Sequence, residues 1–192
     1  MYQWICDDEI VGSGRCNSWL WGNVIATSRS GRVSAGLFGW MHASGVGELA
    51  DVGPGYLTGD KYVQILEEVL LPTVEALLFP DGEPFYLLQD NSPIHTCQVV
   101  REWFGRHPHV TLVPHPPKSP DLNPIEHVWA AMVRHMPEQD RGRNRDAVVR
   151  SAMQAWEHLR RPPGQDLTSA LVASMPKRLN AVLAAGGAYT SY

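Results

Sequence analysis

Five prolines lie between positions 114 and 124, and they divide the chain into two unlike parts. Neither a helix interior nor a central strand tolerates this density, because proline lacks a backbone N–H and fixes its φ angle. The segment is therefore predicted to be a rigid, extended connector. Strand-like runs dominate the sequence before it, and helical periodicity dominates the sequence after it.

The part before the connector contains short apolar or alternating runs bounded by turn residues. These runs predict strands at residues 4–6, 18–20, 24–27, 32–41, 45–52, 85–89 and 110–113. The glycines within 32–41 indicate a bulge or close packing. A helix with Thr58 as its N-cap is expected to kink or end at Pro72. A second helix is predicted to start near Pro93, which makes a parallel strand–helix–strand crossover.

Helices are predicted throughout the part after the connector. One starts at Asn123 or Pro124, a second covers residues 146–159, and Pro176 interrupts a third. The expected fold is α/β: a mixed sheet flanked by helices, with a helical C-terminal extension. We expect one domain over residues 1–192, with a sheet core at about 1–113, the connector at 114–124 and a helical part at 125–192.

Composition excludes several classes of protein. The chain has 192 residues, 44% of them hydrophobic and 19% charged, which is typical of a folded domain. No apolar run approaches the roughly 20 residues that span a bilayer, and the N-terminus does not resemble a signal peptide. Three cysteines do not form a disulfide framework. No phosphate-binding glycine loop is present, so no nucleotide cofactor is expected.

The charge is unevenly distributed. Residues 1–128 hold seven basic and fifteen acidic residues, a net charge of −8, whereas residues 129–192 hold nine and five, a net charge of +4. The acidic part is suited to a cation and the basic tail to phosphates. The alternative for the tail is an ordinary solvated helical surface.

Three carboxylates stand at the ends of predicted elements. Asp8 follows the run at residues 4–6, Asp90 ends the strand at 85–89, and Glu126 opens the helix after the connector. Active sites of open α/β sheets lie at the carboxyl ends of strands, so we expect the three side chains to converge. Carboxylate oxygens are ligands for Mg²⁺ or Mn²⁺, and two such ions support phosphoryl transfer.

Each carboxylate also has a purely structural interpretation. Asn123 and Glu126 have the spacing of an N-terminal capping box. Asp90 precedes Asn-Ser-Pro, which is typical of a turn, and Asp8 lies among other acids near a terminus, where side chains are usually solvated.

Two segments carry a resemblance to a known family. Residues 88–96 read LQDNSPIHT, and residues 117–129 read PKSPDLNPIEHVW. They resemble the second-aspartate and third-carboxylate motifs of the Tc/mariner superfamily of DDE transposases. The 35 residues between Asp90 and Glu126 fit the spacing of that family. Further landmarks are similar at 40–49, 61–63, 71–72, SMPKR at 174–178 and GGAYTSY at 186–192.

The resemblance implies roles for individual residues. Asp90 matches the second catalytic aspartate and Glu126 the terminal glutamate. Asp8 matches the first aspartate, with Asp7 as the neighbouring alternative. The implied fold is ribonuclease H-like, with two Mg²⁺ or Mn²⁺ ions bound by these carboxylates. The implied activity is cut-and-paste DNA transposition in the nucleus, in which water cuts the element end and the freed 3′-hydroxyl attacks target DNA. A homodimer is compatible with it.

Secondary site residues are assigned by position and charge. Asn91 follows Asp90 directly, and His95 lies one turn into the predicted helix; both are candidates for the same site. A plain helix-surface position is the alternative for His95. Residues that we expect to contact DNA phosphates are Lys118, Arg141, Arg143, Arg145, Lys177 and Arg178. The remaining clustered histidines, His107, His109 and His115, are expected in a surface loop, because the surrounding prolines make a three-ligand metal site hard to form.

The chain departs from the family at its N-terminus. The family carries N-terminal helix-turn-helix domains, and this sequence starts at the catalytic domain. A catalytically silent or truncated transposase remnant that serves as a DNA- or protein-interaction domain is therefore the alternative hypothesis.

Overall fold

A computed structural model describes residues 19–27, 35–140, 144–188 and 190–192. The predicted strand at residues 4–6, together with Asp7 and Asp8, lies outside this part of the chain. So do Arg141 and Arg143. For residues 19–27 the structure defines the backbone path.

The five described strands form one mixed sheet with the order β3-β2-β1-β4-β5. Antiparallel pairs join β1 to β2 and β2 to β3, whereas β4 is parallel to both β1 and β5. The predicted mixed sheet is confirmed, and the two short runs at 18–20 and 24–27 form one strand. The bounds are β1 Trp19–Thr27, β2 Ala35–His42, β3 Gly45–Asp51, β4 Phe85–Leu88 and β5 Val110–Val113.

Strand β1 occupies the position next to β4, with Trp21 opposite Leu88. A strand has two edges, and those of β4 pair with β1 and β5. Our expectation that the element before Asp8 lies beside the strand before Asp90 falls outside the described residues and stays a prediction. The nine residues of β1 include no Asp or Glu, so β1 itself brings no carboxylate to the site.

Seven α-helices belong to the described residues. Their bounds are α1 Gly59–Ile65, α2 Leu71–Leu77, α3 Gln98–Arg106, α4 Ile125–His135, α5 Arg145–Leu159, α6 Pro162–Ala173 and α7 Met175–Ala184. The helices predicted at 146–159 and around Pro176 are confirmed. The proline-rich connector is irregular apart from a short 3₁₀ turn, Pro120–Leu122.

The first helical region continues past Pro72. Thr58 caps α1 as predicted, since its hydroxyl accepts a hydrogen bond from the Lys61 N–H at 3.3 Å. A π-helical segment, Leu66–Leu70, then joins α1 to α2. This change of register puts Pro72 in the first turn of α2, where no intrahelical N–H donor is needed. The Thr73 hydroxyl donates to the Val69 carbonyl at 2.6 Å.

Helix α3 begins later than Pro93. Turns occupy residues 93–96, and the helix starts at Gln98. The backbone before it is held by local side chains: the Ser92 N–H donates to Asp90 Oδ1 at 3.0 Å, and the His95 N–H donates to the Ser92 hydroxyl at 3.4 Å. Such side-chain bonds offer the backbone an alternative to helical bonds, which explains the shorter helix.

Helices cover both faces of the sheet. On one face, Leu37 and Met41 of β2 pack with Trp129 of α4 and Trp156 of α5. The opposite face packs against α1, the π-helical segment, α2 and α3. Among the described side chains, four indoles are fully buried: Trp40, Trp103, Trp129 and Trp156. None of the helices in the described ranges is long and apolar enough to cross a membrane.

Gly39 confirms both expectations for the glycines of β2. The pairing of β2 with β3 shifts register between Gly39 and Met41. A Cβ at Gly39 would lie 2.7 Å from Trp129 and 2.9 Å from Trp156. The two indoles are stacked, with ring centroids 4.9 Å apart, and they need the space that a side chain would fill.

Candidate active site

Asp90 lies just beyond the carboxyl end of β4. The strand ends at Leu88, the buried Gln89 follows, and Asp90 is the next residue. Because β1, β4 and β5 are parallel, their carboxyl ends meet at one edge of the sheet. This edge is where open α/β sheets build their active sites.

His95 binds the Asp90 carboxylate. The Nδ1 atom of His95 lies 2.7 Å from Asp90 Oδ1 and 3.3 Å from the Asp90 carbonyl oxygen. The hydrogen bond from His95 is the largest cause that holds the pKa of Asp90 below its ordinary value; partial burial opposes it, and the charge of His95 and the bond from Ser92 add to it. Asp90 is therefore ionised at neutral pH.

The Asp90 carboxylate remains open to a ligand. Its side chain is 42% exposed, whereas that of His95 is 2% exposed. The hydrogen bonds from His95 and Ser92 both end on Oδ1. The Ser92 hydroxyl adds a further hydrogen bond to this carboxylate. An ionised oxygen at the rim of a buried network is a donor that suits a hard cation.

Tyr62 and Gln89 support His95 from behind. The fully buried Tyr62 hydroxyl donates to Gln89 Oε1 at 2.5 Å, and Gln89 Nε2 donates to the His95 carbonyl at 3.4 Å. The Tyr62 and His95 rings lie 4.4 Å apart. Burial, and then the charge of Asp90, raise the pKa of Tyr62 far above its usual range, so the phenol stays neutral. The sequence marked Tyr62 only as part of the family landmark at 61–63, which assigned it no role at this site.

Asn91 joins the Asp90 segment to the connector. Its Nδ2 donates to the carbonyl oxygen of His115, and the Nε2 of His115 lies 3.1 Å from the carbonyl of Ser119. Our prediction of a surface position for His115 is wrong, because this residue is only 8% exposed. Burial lowers the pKa of His115, while the bond to Ser119 and the charges of Asp90 and Asp121 oppose the shift.

Glu126 is the second residue of α4 and is half-buried. The capping-box interpretation is wrong: the helix begins after Pro124 with no side-chain cap, and the buried Asn123 Oδ1 has no hydrogen-bond partner among the residues that the structure describes. The connector that leads to Glu126 leaves β5 at the carboxyl edge of the sheet, and His115 ties it to Asn91. Convergence of the Glu126 and Asp90 carboxylates stays a prediction.

No group of three or more His, Cys, Asp or Glu residues that could hold a metal ion is found within the described ranges. These ranges contain two of the three predicted carboxylates. The predicted third, Asp8 or Asp7, lies outside them. The donor set of Asp90 and Glu126 fits a hard cation, and a complete site needs a further oxygen ligand.

The predicted phosphate contacts fall into different environments. Lys118 and Lys177 are exposed, and Lys118 has a positive φ of 55°. Arg145 is half-buried and forms an ion pair with Asp51. Arg178 is only 3% exposed, so our prediction that it contacts phosphate is wrong: its guanidinium is taken up by contacts inside the protein.

Residues 26–149 match the DDE superfamily endonuclease family. The matched segment covers more than half of the chain and includes Asp90, His95 and Glu126. The chain belongs to the DDE superfamily endonuclease family.

Transposases are the curated relatives of this DDE domain. It is 34% identical over 166 residues to the Tc1 transposase of Caenorhabditis elegans, which covers 86% of this chain and 57% of the relative. It is 36% identical over 137 residues to the Tcb1 transposase of Caenorhabditis briggsae, which covers 70% of this chain and 47% of the relative. The chain thus spans about half the length of the curated relatives it matches, and its domain is of the Tc1/mariner transposase type.

Solved transposase structures share the fold of the DDE domain. The Mos1 transposase catalytic domain, solved with raltegravir and Mn, superposes with a TM-score of 0.80 at 21% identity; the match covers 96% of this chain and 90% of that one. The Mos1 mariner paired-end complex with Mn gives a TM-score of 0.74 at 20% identity, over 92% of this chain and 57% of that one. The ribonuclease H-like fold is confirmed.

Proposed function

We propose that this chain is the catalytic domain of a transposase, which cleaves DNA phosphodiester bonds and joins the freed 3′-hydroxyl to target DNA. The single observation that carries this proposal is the ionised, half-exposed Asp90 carboxylate at the carboxyl edge of the sheet. The family match and the transposase relatives support it. They give no support to the alternative of a catalytically silent interaction domain.

Divalent metal ions are the proposed cofactors. Asp90 and Glu126 would hold Mg²⁺ or Mn²⁺, with Asp8 or Asp7 as the expected third ligand. Bound ions of this kind activate the attacking oxygen and stabilise the leaving oxygen at phosphorus. The Mos1 structures with Mn and with Mg support this choice.

The protein's own contribution is to hold one carboxylate in place and charged. His95 fixes Oδ1 of Asp90, and the buried Tyr62–Gln89 pair fixes His95. In the first step the oxygen of water bonds to phosphorus and the P–O3′ bond breaks, which leaves a 3′-hydroxyl and a 5′-phosphate. In the second, that hydroxyl oxygen bonds to a target phosphorus and displaces the target's own 3′ oxygen.

DNA is the proposed partner. The Mos1 paired-end complexes support action on element ends. A homodimer and a nuclear location follow as predictions from the same family.

The deciding experiment compares the predicted metal ligands Asp90 and Glu126 with two exposed carboxylates that precede β4. We expect Mn²⁺ to raise the melting temperature of the protein, because it relieves repulsion between clustered carboxylates. The double variant Asp90→Asn/Glu126→Gln should lose this shift and lose Mn²⁺-dependent nicking of plasmid DNA. The exposed residues Asp81 and Glu83 precede β4 and provide the matched control, Asp81→Asn/Glu83→Gln, which should retain both. A full shift in the first double variant would place the ion elsewhere and overturn the proposal.

A further inference from the structure

Arg178 ties the last helix to the segment that carries Glu126. It lies in α7, and its Nη1 donates to the Asp121 carbonyl at 2.9 Å. The same nitrogen lies 3.2 Å from His127 Nε2, and Nε donates to the Ser174 hydroxyl at 2.8 Å. With 3% of its surface exposed, this guanidinium serves contacts within the protein.

Thr190 binds the same segment from the C-terminus. Its N–H and its hydroxyl both donate to Asp121 Oδ2, at 3.2 and 2.8 Å. Asp121 is 5% exposed, so the carboxylate depends on these donors for its hydrogen bonds. The Tyr192 ring lies 5.1 Å from the centre of the Arg178 guanidinium, which brings the last residues of the chain over the same place.

These contacts lie on both sides of Glu126 in the sequence. Asp121 precedes it by five residues, and His127 follows it directly. Meanwhile, within the described part of the chain, no side chain caps the start of α4 and the buried Asn123 Oδ1 has no hydrogen-bond partner. The contacts from the C-terminus therefore add to the local backbone hydrogen bonds that begin α4, such as that from the Glu126 N–H to the Asn123 carbonyl at 3.2 Å.

Burial of Arg178 and Asp121 is costly. A charged group loses hydration in the interior, and replacing such groups with apolar ones is often neutral or stabilising. The Arg178 guanidinium directs its hydrogen bonds at the Asp121 carbonyl and at His127, the residue next to Glu126. Directed bonds of this kind fix geometry, which is what a metal ligand requires from the residues around it.

We propose that Arg178 and Thr190, which we call the C-terminal clamp, are positioning residues for Glu126. The clamp holds residues 121–127 in the conformation that presents the Glu126 carboxylate to the site. It gives a role to the segments 174–178 and 186–192, which the proposed chemistry does not otherwise use. The inference rests on the proposed function of Glu126.

The test uses Thr190→Val, which removes the hydroxyl and keeps the shape of the side chain. Hydrogen exchange of the amides of residues 126–128, measured without metal, should become several-fold faster, while exchange in β4 and β5 stays unchanged. Affinity for Mn²⁺ should fall about 10-fold, as is typical when a partner behind a metal ligand is removed. Thr190→Ser keeps the donor and should restore both values.

Matched controls are available on the surface. Thr111 is exposed on β5, and Thr111→Val should change neither exchange nor affinity. Arg178→Gln should act like Thr190→Val, whereas Lys177→Gln removes an exposed charge one residue away and should leave residues 126–128 unaffected. If Arg178→Gln does not fold, Thr190→Val alone decides.

Two outcomes would overturn the proposal that the C-terminal clamp positions Glu126. One is wild-type exchange and wild-type Mn²⁺ affinity in Thr190→Val. The other is faster exchange with unchanged Mn²⁺ affinity, which would make the clamp structural only. In both cases Glu126→Gln should still weaken Mn²⁺ binding, and the proposed function then stands. If Glu126→Gln itself has no effect on Mn²⁺ affinity, the proposed role of Glu126 fails instead, and the positioning role fails with it.

Discussion

Nδ1 of His95 lies 2.7 Å from Oδ1 of Asp90, at the point where β4 leaves the sheet. The imidazole is buried and the carboxylate is half-exposed. The protein thus holds one part of the carboxylate, and the exposed part is open to a ligand at the carboxyl edge of the sheet. The pair separates two tasks, since His95 sets the orientation and charge of Asp90 while Asp90 meets the ligand.

Replacing His95 with Phe should raise the pKa of Asp90 towards its ordinary value of 3.8. The phenylalanine ring keeps the aromatic contact with Tyr62, but it makes no hydrogen bond to Asp90. Because the pKa of Asp90 is depressed in the folded protein, its stabilisation is present above the unfolded pKa and is lost as the pH falls through the folded pKa. The stability difference between wild type and variant should therefore be largest near neutral pH and shrink in acid.

Denaturant melts over a pH series measure this difference. The acid limb of Mn²⁺ binding should move to higher pH in His95→Phe. His158→Phe alters an exposed histidine on α5 and serves as the control. A variant whose acid limb coincides with that of the wild type would show that His95 does not set the charge of Asp90.

Tyr62→Phe should destabilise the protein by about 1–3 kcal/mol, because it leaves the buried Gln89 Oε1 without its donor. In a chain of this length, 1 kcal/mol corresponds to a fall of about 2–4 °C in melting temperature. Calorimetry checks the size of the effect. Tyr56 is 93% exposed, so Tyr56→Phe should melt with the wild type. If Tyr62→Phe and the wild type have the same melting temperature, the Tyr62–Gln89 hydrogen bond does not support the site.

Two glycines should respond to alanine in opposite directions. At Gly39 the new methyl would meet Trp129 and Trp156 below 3.0 Å, and overpacking of this kind costs about 1–3 kcal/mol. Gly105 lies within α3, and nothing surrounds the place of its Cβ within 4 Å. Gly105→Ala should therefore stabilise the protein by up to about 1 kcal/mol through helix propensity. Thermal melts distinguish the two signs, and a stabilised Gly39→Ala would contradict the described packing.

Binding to duplex DNA without sequence preference should be weak, of order 10⁻⁴–10⁻⁶ M at physiological salt, and should fall steeply with salt. The net charge of −8 in residues 1–128 opposes approach to DNA. Lys177→Ala should lower the log–log salt slope by about one unit if Lys177 meets a phosphate. Arg145→Ala should change it less, because its guanidinium already pairs with Asp51.

Fluorescence anisotropy over a salt series gives these slopes. Replacing Arg141 and Arg143 with Ala tests the rest of the predicted phosphate contacts. Slopes that equal the wild-type value in every variant would show that these residues do not touch the backbone of DNA.

The sequence determined the local structure and the family of this protein. Proline density placed the connector, periodicity placed most helices and strands, and the segments around Asp90 and Glu126 carried the family resemblance. Each of these signals lies within a few consecutive residues, so each can be read without knowledge of distant contacts. The cap at Thr58 is one example, because donor and acceptor are three residues apart.

Tertiary structure decided which residues support the two carboxylates. Tyr62 reaches Gln89 across 27 residues of sequence, and Arg178 reaches Asp121 across 57. Arg178 was predicted to contact DNA phosphates because of its charge, and His115 was predicted to lie in a surface loop. Both are buried. Burial depends on which elements pack together, and the partners of Tyr62, His115 and Arg178 come from distant parts of the chain. Local sequence does not encode these long-range contacts, and only the folded chain determines them.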